Sequence, residues 1–356
     1  MVHLRGKSTI LWRNLIVWLV AALLIFPQIG YAQDALKEYI TIPNTITDLS
    51  DVDECYKPSS CSGYQVDSSH PCFSAIDSVL FSKDQKTLLR YPNKRIASAY
   101  VIPDGTTAID ENAFEFADGL QMITLTASVT DCLEAFQNPN SSFVNFHVLP
   151  ENPHYSSVDG VLYSKNQKRL LVYPRGRTHT HFSIAEGTEA IGDSAFYRCD
   201  NLNVINMPDT VSSIENDAFG AMCCLTSVEF SKGLKELGDG AFDLCTNLRD
   251  IILPEGLLEI GEQAFSEARL THIHIPKTVQ TIGSDAFSYC NLLTSVYFEN
   301  KNVTIKDDVF TSFDAAAAEE TFGWKGKPIV LTMYVYHGST AEKYAVANGY
   351  AMQYLD

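Results

Sequence analysis

The sequence predicts a repeat solenoid, a fold in which short stretches of chain wind into stacked coils. The dipeptide Ala-Phe returns seven times from Ala113 to Phe287 and is followed by Val309-Phe310. From Phe196 onward, successive phenylalanines are separated by 23, 23, 23, 22 and 23 residues. A fixed period of this length is typical of coils that cannot bury their apolar face alone and become stable by stacking on one another.

Each coil repeats the same apolar positions in the same order. The pattern Leu-x-x-Ile-x-Leu alternates like a strand, so Val228 and Phe230 are expected to point inward and Glu229 outward. Proline follows this strand in several coils, as at Pro254, and ends the hydrogen-bond ladder because it has no N–H. The Ala-Phe rings are predicted to stack into one continuous column, and burial of each ring contributes about 1.5 to 3 kcal/mol.

The complete phrase Ile-x-Leu-Pro-x-x-Leu-x-x-Ile-Gly-x-x-Ala-Phe-x-x-Cys resembles the BspA-type leucine-rich repeat, found mostly in surface and secreted proteins of bacteria and some protists. The resemblance covers roughly residues 73 to 355 and implies a right-handed, β-rich, horseshoe-like leucine-rich-repeat solenoid with parallel strands. Its glycine, present at Gly192, Gly238 and Gly283, indicates a special backbone angle or a close approach between coils. Other residues replace the glycine or the proline at Leu133, Glu215, Lys306, Ser231 and Glu299.

A longer repeat, offset by 82 residues, aligns the segment 73–114 with the segment 155–196 without a gap. Within it, residues 73–92 and 155–174 each contain two apolar and aromatic runs around a polar turn, ended by proline. This pattern predicts two β-hairpin inserts, which are also common in the family that the repeat resembles. Their expected task is to widen or brace the solenoid, and a direct binding role is the alternative.

The C-terminal segment 329–355 is predicted to cap the exposed apolar face of the last coil with a strand and a short helix. Ser339 and Glu342 form a capping-box pattern at the start of the helix, and Gly349 can end it. The preceding segment, which carries Trp324, breaks the repeat and is predicted to be an irregular loop or a short helix.

Residues 1–32 have the pattern of a secretory signal peptide, with basic residues, a run of twelve apolar residues and small residues before the cleavage point. Twelve residues are fewer than the about 20 that a membrane-spanning helix needs, so a retained anchor is the alternative, and no later segment is long and apolar enough to span a bilayer. We therefore expect a secreted or extracellular protein, free or associated with the cell surface. Residues 33–71 do not fit the repeat and are predicted to be an N-terminal cap or tail before the solenoid of residues 72–355.

The chain is strongly acidic, with 43 Asp and Glu against 26 Lys and Arg and a formal net charge of −17. Removal of the signal peptide takes away three basic residues and no acidic one, which gives a charge of about −20. Such a body repels phosphate backbones, and its Lys and Arg form no stripe, so nucleic acid is excluded as a partner. The acidity suits a soluble exported protein, and it would also favour cationic partners or loosely bound divalent ions.

Four of the nine cysteines, Cys132, Cys199, Cys245 and Cys290, are predicted to be core residues. Cys199, Cys245 and Cys290 each lie three residues after a coil phenylalanine, a position that Met222 and Ala268 hold in other coils. A position shared by these residue types is a small to medium apolar core position, where free cysteine behaves as a small hydrophobe. The thiols also lack the paired spacing of zinc sites, so we do not expect them to bind metal.

The remaining cysteines need a different interpretation. Cys55, Cys61 and Cys72 lie in a polar stretch of a chain that is expected to be exported, where one disulfide is plausible. Cys55 and Cys61 are the candidate pair. The sequence leaves the state of the adjacent Cys223 and Cys224 open.

The outward residues of the parallel strands, spaced about 4.8 Å from coil to coil, should form a nearly continuous mixed patch. We expect this sheet face to bind a protein or a glycan, because solenoids commonly use an open sheet face for recognition. The candidate ligand-binding residues are Asn206, Glu229, Asp250, Ile252, His272, His274 and Tyr297. The two histidines beside carboxylates could also ligate a metal weakly, but we predict no metal site because solvated surface residues account for them.

The sequence contains no motif for catalysis, such as a phosphate-binding glycine loop, His-Glu-x-x-His or Gly-x-Ser-x-Gly. No cofactor is expected, and a hydrolase based on paired carboxylates would need two facing acids in a concave pocket. We therefore predict a non-catalytic interaction protein, with adhesion as the role that the family resemblance implies. A passive structural spacer of the cell surface is the alternative, and an enzyme is a distant third.

Overall fold

The computed structural model describes residues 39–56, 61–115, 117, 119–137, 143–311 and 330–356, with Cys55 and Tyr56 described by their backbone alone. The predicted signal peptide and the segment around Trp324 lie outside these residues. The described part contains 25 short strands and three helices. None of these helices is long and apolar enough to cross a membrane.

The N-terminal described residues form two parallel strands and a helix: β1 (Tyr39–Ile42), α1 (Leu49–Tyr56) and β2 (Gly63–Val66). The apolar residues that join this unit to the following strands are Ile40, Ile42, Val52, Cys61, Tyr64, Phe73 and Leu80. The buried guanidinium of Arg90 adds a polar connection. Its Nη2 lies 2.6 Å from the Oδ2 of Asp53 in α1, and its Nη1 lies 2.5 Å from the Oδ1 of Asp110. Residues 39–66 are therefore folded against the first coil, which supports the proposal that residues 33–71 form a cap.

Two antiparallel units follow the same plan: β3 (Phe73–Ile76), β4 (Val79–Ser82) and β5 (Thr87–Arg90), then β10 (Tyr155–Val158), β11 (Val161–Ser164) and β12 (Arg169–Val172). Each unit has three strands, one more than the two apolar runs of the predicted hairpins. Its first turn places two successive residues in the left-handed region, at Asp77 and Ser78 (φ 48° and 64°) and at Asp159 and Gly160 (φ 48° and 74°). Such a turn matches the twist of the flanking strands and holds them in register.

Each antiparallel unit is continuous with short parallel strands, so it is part of a sheet rather than a separate insert. In the first half of the chain, β5 pairs with β7 (Ala108–Ile109). In the second half, β12 is followed in the same sheet by β14 (Ala190–Ile191), β16 (Ser213–Ile214), β18 (Glu236–Leu237), β19 (Glu259–Ile260), β21 (Thr281–Ile282) and β23 (Thr304–Ile305). We call this sheet of nine strands, β10 to β12 included, the long sheet.

The strands of the Leu-x-x-Ile-x-Leu pattern form a second side of the solenoid. They belong to three parallel sheets. The first sheet contains β6 (Ala99–Val101), β8 (Met122–Leu125) and β9 (Asn145–Val148), and the middle sheet contains β13 (His181–Ser183), β15 (Val204–Asn206) and β17 (Ser227–Glu229). The C-terminal sheet contains β20 (His272–Ile275), β22 (Ser295–Phe298), β24 (Thr332–Val335) and β25 (Ala351–Tyr354). This side is therefore less continuous than the sequence predicts. One break lies at the second antiparallel unit, and the other lies at residues 249–253, which form no strand.

The Ala-Phe turns form a third side, in which backbone hydrogen bonds run from each coil to the next. The N–H of Phe242, for example, donates to the carbonyl oxygen of Ala264 at 2.8 Å. Left-handed residues flank the pair in the five turns from Ala195-Phe196 to Ala286-Phe287, as at Asp217 (φ 51°) and Ala221 (φ 54°). A turn of this kind has no strand-like apolar alternation, so the sequence pattern did not predict this ladder. The short helix α2 (Leu133–Gln137) carries the Ala-Phe pair of its coil.

The coil rings are buried and stacked, but they form two columns instead of the single column that was predicted. The longer column has neighbouring ring centroids 4.9 to 5.5 Å apart and contains Tyr173, Phe196, Phe219, Phe242, Phe265, Phe287 and Phe310. The shorter column contains Tyr91, Phe114 and Phe136, whose neighbouring ring centroids are 5.6 and 5.8 Å apart. Phe136 then contacts Phe143 and Phe146 because the second antiparallel unit follows, and the buried apolar residues accordingly form two main clusters.

Glycine at the repeated turn position permits a close approach between coils. A Cβ on Gly261 would lie 2.5 Å from the carbonyl carbon of Gly238 and 2.6 Å from the nitrogen of Asp239. A Cβ on Gly283 would lie 2.5 Å from the nitrogen of Glu262. Neither glycine has a left-handed φ, so the close approach is the reason for glycine here, and a special backbone angle is not.

The cysteines that follow the coil phenylalanines are buried thiols, as predicted, and they also contact the backbone of the preceding coil. The Sγ of Cys245 lies 3.2 Å from the carbonyl oxygen of Phe219, and the Sγ of Cys290 lies 3.1 Å from that of Phe265. Burial raises the pKa of Cys199 to about 12 and also raises the pKa values of Cys245 and Cys290. These thiols therefore stay protonated and unreactive at neutral pH.

The other cysteines carry no disulfide among the described side chains. Cys61 is buried, Cys72 and Cys224 are partly buried, and Cys223 is exposed. The side chain of Cys55 lies outside the described residues, so the bridge between Cys55 and Cys61 stays a prediction.

The C-terminal segment contains the strand β24 and the helix α3 (Thr340–Asn348), and β25 then adds a further parallel strand. The Oγ of Ser339 accepts a hydrogen bond from the N–H of Glu342 at 3.1 Å. The Glu342 carboxylate accepts from the N–H of Gly338 at 2.6 Å instead of that of Ser339, so the reciprocal bond of the capping box is displaced by one residue. Gly349, with φ 74°, ends the helix.

The substitution Asp243→Asn is expected to stabilise the protein at neutral pH. Burial raises the pKa of Asp243, although hydrogen bonds from Ser266 and Leu244 oppose the shift. A raised folded-state pKa gives stability that is present while the group is protonated and is lost as the pH rises through that pKa. Because the side chain is half-buried, we expect a gain of a few tenths of a kcal/mol to about 1 kcal/mol at pH 7, measured by urea unfolding.

The gain from Asp243→Asn should vanish below about pH 3.9, where an ordinary aspartate is protonated even in the unfolded chain. The exposed Asp104, changed to Asn, is the matched control and should leave stability unchanged at both pH values. A gain that persists undiminished at low pH would contradict the electrostatic explanation.

Candidate functional site

The predicted ligand-binding residues lie on the outward side of the middle sheet and the C-terminal sheet. Asn206 pairs with Glu229 across β15 and β17, and His274 pairs with Tyr297 across β20 and β22. His272 projects from the same side of β20 as His274, because side chains two residues apart in a strand share a face. The residues between them, such as Ile273, are buried in the core.

Asp250 and Ile252 lie in the coil that separates these two sheets. Residues 249–253 form no strand, and a hydrogen bond of 3.3 Å from the N–H of Thr271 to the carbonyl oxygen of Arg249 joins them to the next coil. The break falls beside the 22-residue step of the repeat, where the following strand begins one residue early. Ile252 is 88% exposed there, so it extends the outward surface from Glu229 toward His274.

An aromatic ridge, defined here as His274, Tyr297 and Tyr334, crosses three strands of the C-terminal sheet. The ring centroids of His274 and Tyr297 are 4.2 Å apart with an interplanar angle of 3°, and those of Tyr297 and Tyr334 are 4.1 Å apart at 14°. A hydrogen bond between the two tyrosine side chains raises the pKa of Tyr334. The sequence pattern predicted Tyr334 only as part of the C-terminal cap, and the pairing of its strand with β22 brings it into this row.

The geometry of the ridge determines which parts of the rings face the solvent. Because the rings lie parallel and their stacking follows the direction from strand to strand, each ring stands upright on the sheet. Both faces of the Tyr297 ring are therefore covered by its neighbours. The surface therefore presents ring edges and tyrosine hydroxyl groups.

Carboxylates lie beside the histidines of this surface. The Nδ1 of His272 is 3.9 Å from Asp250, and the Nδ1 of His274 is 4.0 Å from Glu299. Within the described part of the chain, no three His, Cys, Asp or Glu side chains are grouped closely enough to hold a metal ion.

A groove of about 400 Å³ lies on the long sheet, a surface for which the sequence pattern predicted no role. Its acidic lining residues are Asp193, Glu215, Glu236, Asp239 and Glu259. The carboxylate of Glu215 is already engaged by the guanidinium of Arg169 and by the N–H of Asp193. The coil register brings together acids from adjacent coils, such as Glu236 and Glu259, which are 23 residues apart, so no local sequence motif indicates the groove.

Three solved structures show what the fold is similar to. A leucine-rich repeat protein from Eubacterium ventriosum has 21% identity and a TM-score of 0.52, over 67% of this chain and 64% of that chain. A leucine rich cell surface protein from Faecalibacterium prausnitzii has 23% identity and a TM-score of 0.44, over 70% of this chain and 62% of that chain. A leucine-rich repeat protein from Bacteroides ovatus has 19% identity and a TM-score of 0.45, over 74% and 70%.

The chain thus spans less than two thirds of the length of the first two of these proteins. Identities this low concern the fold alone. No curated protein sequence matches the chain.

The repeat itself is matched by a family model. The model for the BspA type leucine rich repeat region matches with 6 copies, over residues 91–154, 176–294 and 221–317. These ranges include more than half of the sequence and coincide with the coils built around the ring columns. The chain belongs to the BspA-type leucine-rich repeat family.

Proposed function

We propose that the protein is a non-catalytic extracellular or cell-surface interaction protein, which binds a protein partner through the outward side of its middle and C-terminal sheets. The observation that carries the proposal is the aromatic ridge, a row of stacked rings on the outward side of the C-terminal sheet, in which His274 is exposed and Tyr297 and Tyr334 are partly exposed. Adhesion to another cell or to a matrix is the form of this function that fits an exported member of a surface-protein family.

The stacking of the ridge favours a protein over a glycan. Sugars usually bind aromatic residues through a free ring face, and the Tyr297 faces are occupied by His274 and Tyr334. Ring edges and hydroxyl groups suit a polypeptide surface, where tyrosine combines apolar contact area with a hydrogen-bonding group at low entropic cost. The spacer alternative predicts no use for such a surface.

Extracellular location is part of the proposal and is supported by two observations. The sequence of residues 1–32 has the order of charge, apolar run and small residues that a signal peptide requires. The chain also belongs to the BspA-type leucine-rich repeat family, and the resemblance to this family implies a surface or secreted protein.

The substitution Tyr297→Ala is expected to weaken binding of the protein partner at least about tenfold, the size of effect typical of a central aromatic contact. Tyr297 is central because its removal also leaves His274 and Tyr334 without their shared neighbour. The measurement is a screen of residues 33–356 against arrayed extracellular-matrix proteins and glycans, followed by titration of each bound protein with both forms of the chain.

Tyr39→Ala is the matched control, since Tyr39 is 44% exposed and lies in the N-terminal unit, away from the ridge. It should leave the affinity unchanged, and circular dichroism should report a folded chain for both variants. If the two substitutions weaken binding equally, the ridge is not the contact. If the folded chain binds no arrayed protein, the spacer function is favoured instead.

A further inference from the structure

The charge of the proposed face identifies the kind of partner that it fits. We infer that the aromatic ridge and its surroundings bind a cationic polypeptide surface, rich in Arg and Lys, and that the histidines weaken this binding in acid. The inference rests on the proposed function and adds the chemistry of the partner to it.

The outward residues of the two sheets carry negative charge and no fixed positive charge. They form two rows that run from coil to coil across the strands. The row that contains the ridge consists of Ser183, Asn206, Glu229, Ile252, His274, Tyr297, Tyr334 and Gln353. The adjacent row consists of His181, Val204, Ser227, Asp250, His272, Ser295, Thr332 and Ala351. Neither row of these described residues contains Lys or Arg. The surface therefore combines apolar and aromatic contact area with carboxylates, which is the complement of a basic patch.

The carboxylates are accessible to a partner. The side chains of Asp250 and Glu299 are 74% and 40% exposed, and each lies about 4 Å from a histidine. Glu229 is exposed as well. An arginine of the partner can form a bidentate ion pair with such a carboxylate while its stem packs on Ile252 or the ridge.

The basic residues of these coils lie at the corners, beyond the ends of the strands. Arg249 directly precedes Asp250 and Arg269 precedes β20, whereas Lys232, Lys277 and Lys301 follow their strands. Lys232 is paired with Asp209 at 3.5 Å, and Lys301, which lies over the Tyr336 ring, is paired with Asp356 at 3.1 Å. They leave the negative charge between the corners in place. The formal net charge of −17 adds a long-range attraction for cationic partners.

The histidines make the same surface sensitive to pH. His272 faces Asp250, Thr271 and His274, and His274 faces Glu299 and Tyr297. Protonation of both imidazoles adds two positive charges beside the carboxylates that the partner uses. A cationic partner should therefore bind less tightly at about pH 5.5 than at about pH 7.5.

A random peptide library displayed on phage is the probe that tests this inference. The library is selected on residues 33–356 and depleted on the double variant Tyr297→Ala/Tyr334→Ala, so that only peptides dependent on the ridge remain. We expect these peptides to be enriched in Arg and Lys and depleted in Asp and Glu relative to the starting library. Peptides that are neutral or acidic on average would overturn the inference while leaving the proposed face in place.

A representative selected peptide is then titrated against charge variants. The double variant Glu229→Gln/Asp250→Asn should bind it about two- to tenfold more weakly, as expected for the loss of two exposed ion pairs. The control Glu236→Gln/Glu259→Gln removes two acids of the groove on the long sheet and should leave the affinity unchanged. Equal losses in the two variants would indicate a net-charge effect and contradict a specific site.

The pH arm uses the same peptide. Its affinity should fall between about pH 7.5 and about pH 5.5, and the fall should disappear in His272→Gln/His274→Gln. A fall that persists in this variant would overturn the role of the histidines. A library that yields no ridge-dependent peptide at all would overturn the proposed function and this inference with it.

Discussion

Replacing Phe242 with alanine is expected to destabilise the protein by about 3 to 5 kcal/mol. The ring is fully buried and is stacked between those of Phe219 and Phe265. The centroid distances are 4.9 Å and 5.5 Å, and the interplanar angles are 12° and 7°, respectively. The centroid of the Phe230 ring lies 5.5 Å from that of Phe242, and the two rings are nearly perpendicular. Alanine leaves a cavity in the middle of the longer column, so two coils lose their shared contact at once. Urea unfolding followed by circular dichroism measures the loss.

A loss of this size is a large part of the stability of a typical domain, about 5 to 15 kcal/mol, so a milder variant is also needed. Phe242→Leu keeps most of the apolar volume and should give a smaller loss that can still be measured. Ile252→Ala is the control, because Ile252 is 88% exposed and its truncation should change stability by less than about 0.5 kcal/mol. If Phe242→Ala behaved like Ile252→Ala, the ring column would not hold the coils together.

Gly261→Ala is expected to destabilise the protein by about 1 to 3 kcal/mol, the usual cost of inserting a methyl group where no space exists. The added Cβ would lie 2.5 Å from the carbonyl carbon of Gly238 and 2.6 Å from its oxygen. These are backbone atoms of the neighbouring coil, which cannot rotate away as a flexible side chain does. Two coils would have to separate locally, and urea unfolding would measure the loss.

Gly256→Ala provides the matched control within the same coil. A Cβ there would lie 3.4 Å from the carbonyl oxygens of Leu234 and Lys232, an ordinary contact distance, and its φ is not left-handed. This variant should therefore be close to neutral. Equal destabilisation by both substitutions would mean that alanine is disfavoured by backbone conformation in this coil, and that the close approach at Gly261 is not the cause.

The period of the sequence was sufficient to predict the coils, their order and the burial of their rings. Each coil uses the same spacing from Leu-x-x-Ile-x-Leu to Ala-Phe, so local alternation and the fixed period agree with each other. The turn positions of Gly238 and Gly261 could also be identified, although only the structure distinguishes close approach from a special backbone angle.

The interruptions were not predictable from the same pattern. Residues 248–253 keep the Leu-x-x-Ile-x-Leu spacing, yet they form no strand next to the shorter step of the repeat. The prediction of a single ring column was also wrong, because sequence spacing does not reveal that an antiparallel unit separates Phe136 from Tyr173. Both features depend on how neighbouring coils meet, and a single coil does not contain that information.

The candidate site was predicted in part. The outward positions of Glu229, His274 and Tyr297 follow from strand alternation, and the structure places them on one side of the solenoid. Tyr334 was missed as a site residue because residues 311–327 break the repeat before its strand, so no fixed period connects it to Tyr297. Binding by these residues remains a proposal.

The central claim is that rings of adjacent coils contact one another along a column, and a double-mutant cycle tests it most directly. The cycle combines Phe219→Leu with Phe242→Leu, whose rings are stacked at 4.9 Å, and compares this pair with Phe219→Leu and Phe310→Leu, whose rings lie far apart in the column. We predict a coupling energy of about 0.5 to 1.5 kcal/mol for the adjacent pair and additive effects for the distant pair. Additive effects for both pairs would contradict the column and the stacking of coils built on it.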